Sequence, residues 1–86
     1  MTQEGLDIYH KYRPFYGRDT ATVLMTLVDS GAGMTVAELC SYMSMTNSKL
    51  IKSLAILKRA DLISEISYND ESMYKFNQHI NLRGNK

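Results

Sequence analysis

The sequence predicts a mainly α-helical domain closed by a small β-hairpin, in the order α-α-α-α-β-β. Three observations carry that expectation. Apolar residues recur at helical spacing in four blocks between residues 6 and 60, the period drops to two after Asp61, and Thr35 with Glu38 spells a capping box at the start of the third block. With 86 residues the chain has room for one domain and one core, read as a single unit over residues 1–86. A core of that size supports a monomer only marginally and no disulfide staple is available, which favours a homodimer.

The first block, Leu6, Ile8, Tyr9 and Tyr12, makes a short amphipathic helix that Pro14 is expected to end, because the residue before a proline is pushed out of the helical region. The second covers residues 19–29, with Val23, Leu24, Leu27 and Val28 at helical spacing, Asp19 as N-cap and Gly31 as the stop. The third follows the Thr35/Glu38 box over residues 36–43 and is expected to bury Val36, Leu39, Cys40 and Met43. Ser44, Met45 and Thr46 break the pattern. Thr46 or Asn47 can cap the fourth helix, whose apolar stripe is Leu50, Ile51, Leu54 and Leu57 and which runs to about Ala60. Residues 63–68 and 73–77 alternate as strands, with a turn-prone loop at 69–72 between them and with Tyr74 and Phe76 sharing the face that packs on the helices. The polar residues 79–86 are expected to form a loose tail.

Two short helices separated by about three residues, the second basic and followed by a hairpin, make a helix-turn-helix at residues 35–60 with a wing at 63–77. Here the chain resembles the winged helix-turn-helix regulators of the ArsR-like and MarR-like type. The residues that carry the resemblance are Glu38-Leu39-Cys40, the break at Ser44 to Thr46, and the run Ser53-Leu54-Ala55-Ile56-Leu57-Lys58-Arg59-Ala60-Asp61-Leu62-Ile63. In that run the family commonly has Gly in place of Asp61. The likeness covers roughly half the chain, and most of it is a core-packing pattern.

The resemblance implies that the fourth helix enters the major groove N-terminus first, with early residues at base edges and flanking donors on phosphates. Ser48, Lys49 and Lys52 lie opposite Leu50, Leu54 and Leu57 on a helical wheel and are the first candidates for DNA contact. Thr46, Asn47 and Ser53 border that face; Asn suits a bidentate bond to adenine, and Ser can bond a base or a phosphate. Arg59, further along, suits a phosphate, and Lys75 is the candidate from the hairpin. Between positions 46 and 60 there is no acid. The chain departs from the family pattern in three places. Asp70 and Glu71 occupy the hairpin tip where DNA-binding relatives usually carry Arg or Lys, Ile51 stands where a small hydroxyl residue is common, and the early positions hold no Arg.

Net charge is +1, from ten Lys and Arg against nine Asp and Glu, so the case for nucleic acid rests on distribution and not on total charge. Cys40 is the one cysteine, which excludes an intrachain disulfide and suits a reducing compartment. With no apolar leader pattern or span-length apolar run in the sequence, the expected location is the cytoplasm. Aligning on Leu54 and Leu57, the metal-box cysteines of ArsR-like sensors fall on Thr35 and Ala37, which cannot serve as ligands. His10 and His79 lie far apart in sequence without ligand spacing, so neither a metal nor a cofactor is expected. A Gly-rich phosphate loop, a nucleophile–base pairing and paired carboxylates are all missing from the sequence, and no enzyme is expected.

Leu6, Tyr9, Tyr12, Phe15 and Tyr16 form an aromatic-rich patch that is either a segment folded over the bundle or a dimer interface. The leading expectation is thus a homodimeric, sequence-specific double-stranded DNA-binding regulator that represses by promoter occlusion. Two others remain open: a winged-helix module that binds another protein, suggested by the near-neutral charge and acidic hairpin tip, and a DNA-binding partition or architectural protein of the same fold.

Overall fold

Thr2 starts the first helix, α1 (Gln3–Tyr16): extended at the N-cap, it offers its hydroxyl oxygen to the Gly5 N–H at 2.9 Å. Asp29 holds Thr2 in turn, accepting from its hydroxyl at 2.7 Å and from its backbone N–H at 3.1 Å. Asp29 lies near the end of α2 (Arg18–Ser30), so this contact ties the beginning of one helix to the end of the next and makes the two an antiparallel hairpin. Only Gly17 separates them, at φ +90°, a backbone conformation that glycine adopts at no steric cost.

The computed structural model, which describes residues 2–77, corrects two local expectations here. Pro14 does not end α1 but lies inside its last turn, and the helix runs on to Tyr16. Proline forfeits one bond, to the His10 carbonyl, while Ile8, Tyr12 and Tyr16 pack towards the core on both sides of it. Tertiary packing outweighs the local preference. Nor is Asp19 the cap of α2: Gly17 takes that place without a side-chain bond, and Asp19 sits in the first turn, where its charge faces the positive end of the helix dipole. Gly31 ends α2 as expected, left-handed at φ +69°.

A two-residue strand, β1 (Met34–Thr35), precedes α3 (Val36–Met43) and α4 (Asn47–Arg59), and the chain then forms β2 (Ile63–Tyr68) and β3 (Glu71–Phe76). The antiparallel sheet has the order β1-β3-β2, with Met34 opposite Tyr74 in one pair and Ile63 opposite Phe76 in the other. β1 is not among the expected elements, since two residues are too short to show an alternation. The loop between β2 and β3 is tighter than predicted: Asn69 and Asp70 alone make the turn, at φ +52° and +64°, and β3 already begins at Glu71. Two positive φ values in a two-residue hairpin loop match the right-handed twist of the flanking strands.

α4 ends in a Schellman motif. The Asp61 N–H donates to the Lys58 carbonyl and the Leu62 N–H to the Leu57 carbonyl, both at 3.0 Å, with Asp61 left-handed at φ +63°. Asn77 then fastens the base of the hairpin. Its backbone N–H reaches the Leu62 carbonyl at 2.9 Å, its side-chain amide reaches the Asp61 carbonyl at 2.9 Å, and its side-chain oxygen accepts from Ser64.

The four helices and the inner face of the sheet enclose one core. Ile8, Val23, Leu24, Leu27, Leu39, Leu50, Leu54, Leu57, Leu62, Ile63 and Phe76 are buried, and Tyr74 packs against them beside Phe76. Of the residues expected to be inward on α3, Leu39 is fully buried, while Val36, Cys40 and Met43 are half-buried against the core. Ile51 leaves the predicted stripe of α4: it is 55% exposed, because one residue beyond Leu50 turns the side chain by about 100° away from the core. The expected C-terminal tail and His79 lie outside the described residues. Among those described, no helix is long and apolar enough to cross a membrane.

Candidate nucleic-acid interface

The α3–α4 pair is set by side chains at each of its corners. Thr35 and Glu38 make the reciprocal box, with the Thr35 N–H on Glu38 Oε1 at 2.9 Å and the Glu38 N–H on Thr35 Oγ1 at 3.2 Å. Ser44, left-handed at φ +53°, stops α3 and returns its N–H to the Cys40 carbonyl at 3.1 Å. Thr46 restarts the chain as α4, its hydroxyl accepting from the Lys49 N–H at 3.3 Å. Three residues therefore separate the helices, and Cys40 Sγ bridges them by donating to Asn47 Oδ1 at 2.6 Å.

Leu50, Ser53, Leu54 and Leu57 are the buried side of α4. Opposite them, Ser48, Lys52, Ala55 and Arg59 follow one another at intervals of four, three and four residues, and all are exposed. At 1.5 Å per residue that row extends about 16 Å along the helix, enough to follow a major groove about 12 Å wide. Lys49 flanks the row on the side of α2, where its ammonium lies 3.7 Å from the Asp19 carboxylate in an exposed pair. Lys58 flanks it on the side of the sheet, donating to Glu65 Oε1 on β2 at 2.6 Å.

Three groups around this last contact are shifted. The hydrogen bond from Lys58, then that from Ser72, holds the Glu65 carboxyl below its usual range, and the bond to Glu65 raises Lys58. Tyr74, which faces Glu65 across the strands, is raised chiefly by burial and then by the Glu65 carboxylate. The hairpin is thus tied to α4 by charge, and by Asn77 to the turn that follows α4.

Five of the eight residues expected at a DNA surface fall together. Ser48, Lys52 and Arg59 are in the exposed row, Lys49 is on its flank and Thr46 is at its head. The remaining three need correction. Ser53 is 5% exposed and shares a hydrogen bond with Thr20 at 2.9 Å, because the wheel position bordering the basic face is also the one that meets α2. Asn47 is exposed, but its side-chain oxygen already accepts from Cys40, which turns the amide towards α3 and leaves one lone pair and the NH2 group for another partner. Lys75 is half-buried and borders a small cleft with Glu4, Leu27, Val28 and Gly31, at the opposite end of α2 from Asp19. The fold does not gather it with the row on α4.

The aromatic residues of α1 divide in the same way. Tyr12 and Tyr16 stack with centroids 6.0 Å apart and pack against the core, half-buried within the monomer. Leu6 and Tyr9 line a shallow groove with His10, Thr22 and Met25, whereas Phe15 projects outward with 76% of its surface exposed.

Sequence reasoning missed two polar contacts between α2 and α4, the buried Thr20–Ser53 bond and the exposed Asp19–Lys49 pair. A serine inside the apolar stripe of a helix was the signal for the first, since a buried hydroxyl requires a partner. Among the described residues, no group of three or more His, Cys, Asp and Glu side chains is placed to hold a metal ion. No protein-family model matches the chain, and comparison with curated proteins finds no match either.

Proposed function

We propose that the chain is a winged helix-turn-helix protein that binds double-stranded DNA as a homodimeric transcriptional regulator, with α3–α4 as the helix-turn-helix and the β2–β3 hairpin as the wing. The observation that carries this reading is the row Ser48, Lys52, Ala55 and Arg59: exposed, basic, free of acid, and on the second helix of a tightly capped pair. A helix presented this way lies in the major groove, with Ser48 and Lys52 near base edges and Arg59 and Lys49 at phosphates. Two copies place their α4 helices about one helical turn apart on a palindromic site, and occupancy of a promoter then represses it. The exposed Phe15 and the Leu6–Tyr9 groove are the apolar surfaces of α1 offered to the second copy.

A mobility-shift titration tests this. Replacing Lys49 and Arg59 together with Ala should weaken binding at low salt and reduce the slope of log affinity against log salt by about 1.8, at about 0.9 for each phosphate that the variant no longer neutralises. Equal binding by wild type and double variant overturns the assignment.

A second reading draws on the hairpin tip, where Asp70 and Glu71 are both exposed and repel phosphate. On that reading the hairpin docks a basic surface of another protein. Capture of a protein partner that survives nuclease treatment and disappears on replacing Asp70 and Glu71 with Lys supports it, whereas loss of the partner on nuclease treatment counts against it.

A further inference from the structure

The basic row of α4 has an apolar neighbour that the fold does not use. Ile51 is 55% exposed, one helical turn after Asn47, and Ala55, also exposed, follows it at the next turn on the same side. Core packing does not account for an isoleucine there, because the buried side of α4 is completed by Leu50, Leu54 and Leu57. Helix propensity does not account for it either: β-branched Ile is a poorer helix former than the Lys, Leu or Ala found elsewhere in α4. A protein-docking face is disfavoured by its surroundings. Interface cores join several large apolar side chains, whereas the exposed residues next to Ile51 on the helix surface, three and four positions away, are Asn47, Ser48 and Ala55.

One nucleic-acid group fits an apolar side chain set beside hydroxyl and ammonium donors on a helix. The major-groove edge of thymine carries a C5 methyl next to a carbonyl acceptor, and apolar contact with that methyl distinguishes it from the other bases. We infer that Ile51, with Ala55 beside it, reads thymine methyl groups in the major groove of the bound duplex, so that the recognised sequence contains thymine opposite the first half of α4.

The inference rests on the DNA reading above, and the experiment separates the two. Duplexes are recovered by the full chain from a random pool, and each thymine of the enriched sequence is then replaced in turn by deoxyuridine, which removes only the methyl. At one or two positions deoxyuridine should weaken wild-type binding about fourfold for each methyl left uncovered, and the penalty should vanish in Ile51→Ala. Because Ile51 is exposed and Ala is the better helix former, the variant should melt at or above the wild-type temperature and still bind the deoxyuridine duplex. An enriched duplex whose affinity is indifferent to deoxyuridine everywhere overturns the thymine assignment alone. So does a penalty that persists undiminished in Ile51→Ala. If the pool yields no bound duplex, the DNA reading falls and this inference falls with it.

Discussion

The hydroxyls of Thr20 and Ser53 lie 2.9 Å apart in the buried contact between α2 and α4. Each satisfies the other where water has little access, at 5% exposure for both residues. Removing one partner strands the other, so Ser53→Ala should cost about 1–2 kcal/mol of unfolding free energy. Thr20→Val in the Ser53→Ala background should cost less than it does alone, because the orphaned hydroxyl disappears with it. Urea unfolding of the four proteins measures the coupling, and strictly additive losses would show that the pair is not a joint unit.

Asp29 makes Gly5 a position where alanine does not fit. A Cβ at Gly5 would lie 2.1 Å from Asp29 Oδ1 and 2.9 Å from its Cγ, so the carboxylate must leave Thr2. Ala is favoured over Gly within a helix by about 0.8–1.0 kcal/mol, but here that gain is set against the loss of the two hydrogen bonds from Thr2 to Asp29. Gly5→Ala should therefore be neutral or destabilising in the native background and stabilising by up to about 1 kcal/mol once Asp29→Ala has cleared the space. Thermal melts of both pairs decide it, and the same effect in the two backgrounds would contradict the arrangement.

The clamp between Lys58 and Glu65 makes part of the stability depend on pH. Glu65 is held below the usual carboxylate range chiefly by the Lys58 hydrogen bond, so its contribution is present above the ordinary carboxylate value and is lost as pH falls through the depressed one. Lys58 is raised by the same bond, so its contribution is full below the ordinary lysine value and is lost as pH rises through the raised one. The clamp acts over the whole window between. Lys58→Met should destabilise within that window and converge on wild type in acid, as followed by unfolding at a series of pH values. A constant gap between the two proteins down to acid pH would show that the pair is not the cause.

What the sequence made legible was chiefly what neighbours in sequence decide. The Thr35–Glu38 box, the Thr46 cap and the Gly31 stop are each closed by residues within four positions, and the Leu50, Leu54 and Leu57 stripe follows from helical period alone. Several of the failures involve a distant partner. Pro14 stays helical because the core packs on both sides of it, and β1 exists only because β3 is beside it. Ser53 falls at the border of the DNA face on a helical wheel because a wheel shows which side is opposite the leucines but not which flank α2 covers. Asp61 lies between these cases. The family-like run at residues 53–63 usually has Gly there, and the left-handed φ of +63° gives a backbone reason for that preference, which Asp tolerates better than most residues.

The pair formed by Asp19 and Lys49 places an acid at the edge of the proposed DNA-binding face. Its ammonium and carboxylate are 3.7 Å apart with side chains 68% and 52% exposed, the geometry of a weak surface pair. A phosphate approaching Lys49 competes with Asp19 for the ammonium and is also repelled by the carboxylate. Asp19→Asn removes both effects while keeping the side-chain shape. It should raise affinity for duplex DNA about two- to fivefold at low salt, within the range that a surface pair worth about 0.2–1 kcal/mol allows. The advantage should shrink as salt screens the charges over a Debye length of about 8–10 Å. Parallel titrations of wild type and variant at two salt concentrations measure it. Unchanged or weaker binding by the variant would place Lys49 away from the phosphates and leave Lys52 and Arg59 as the cations of the interface.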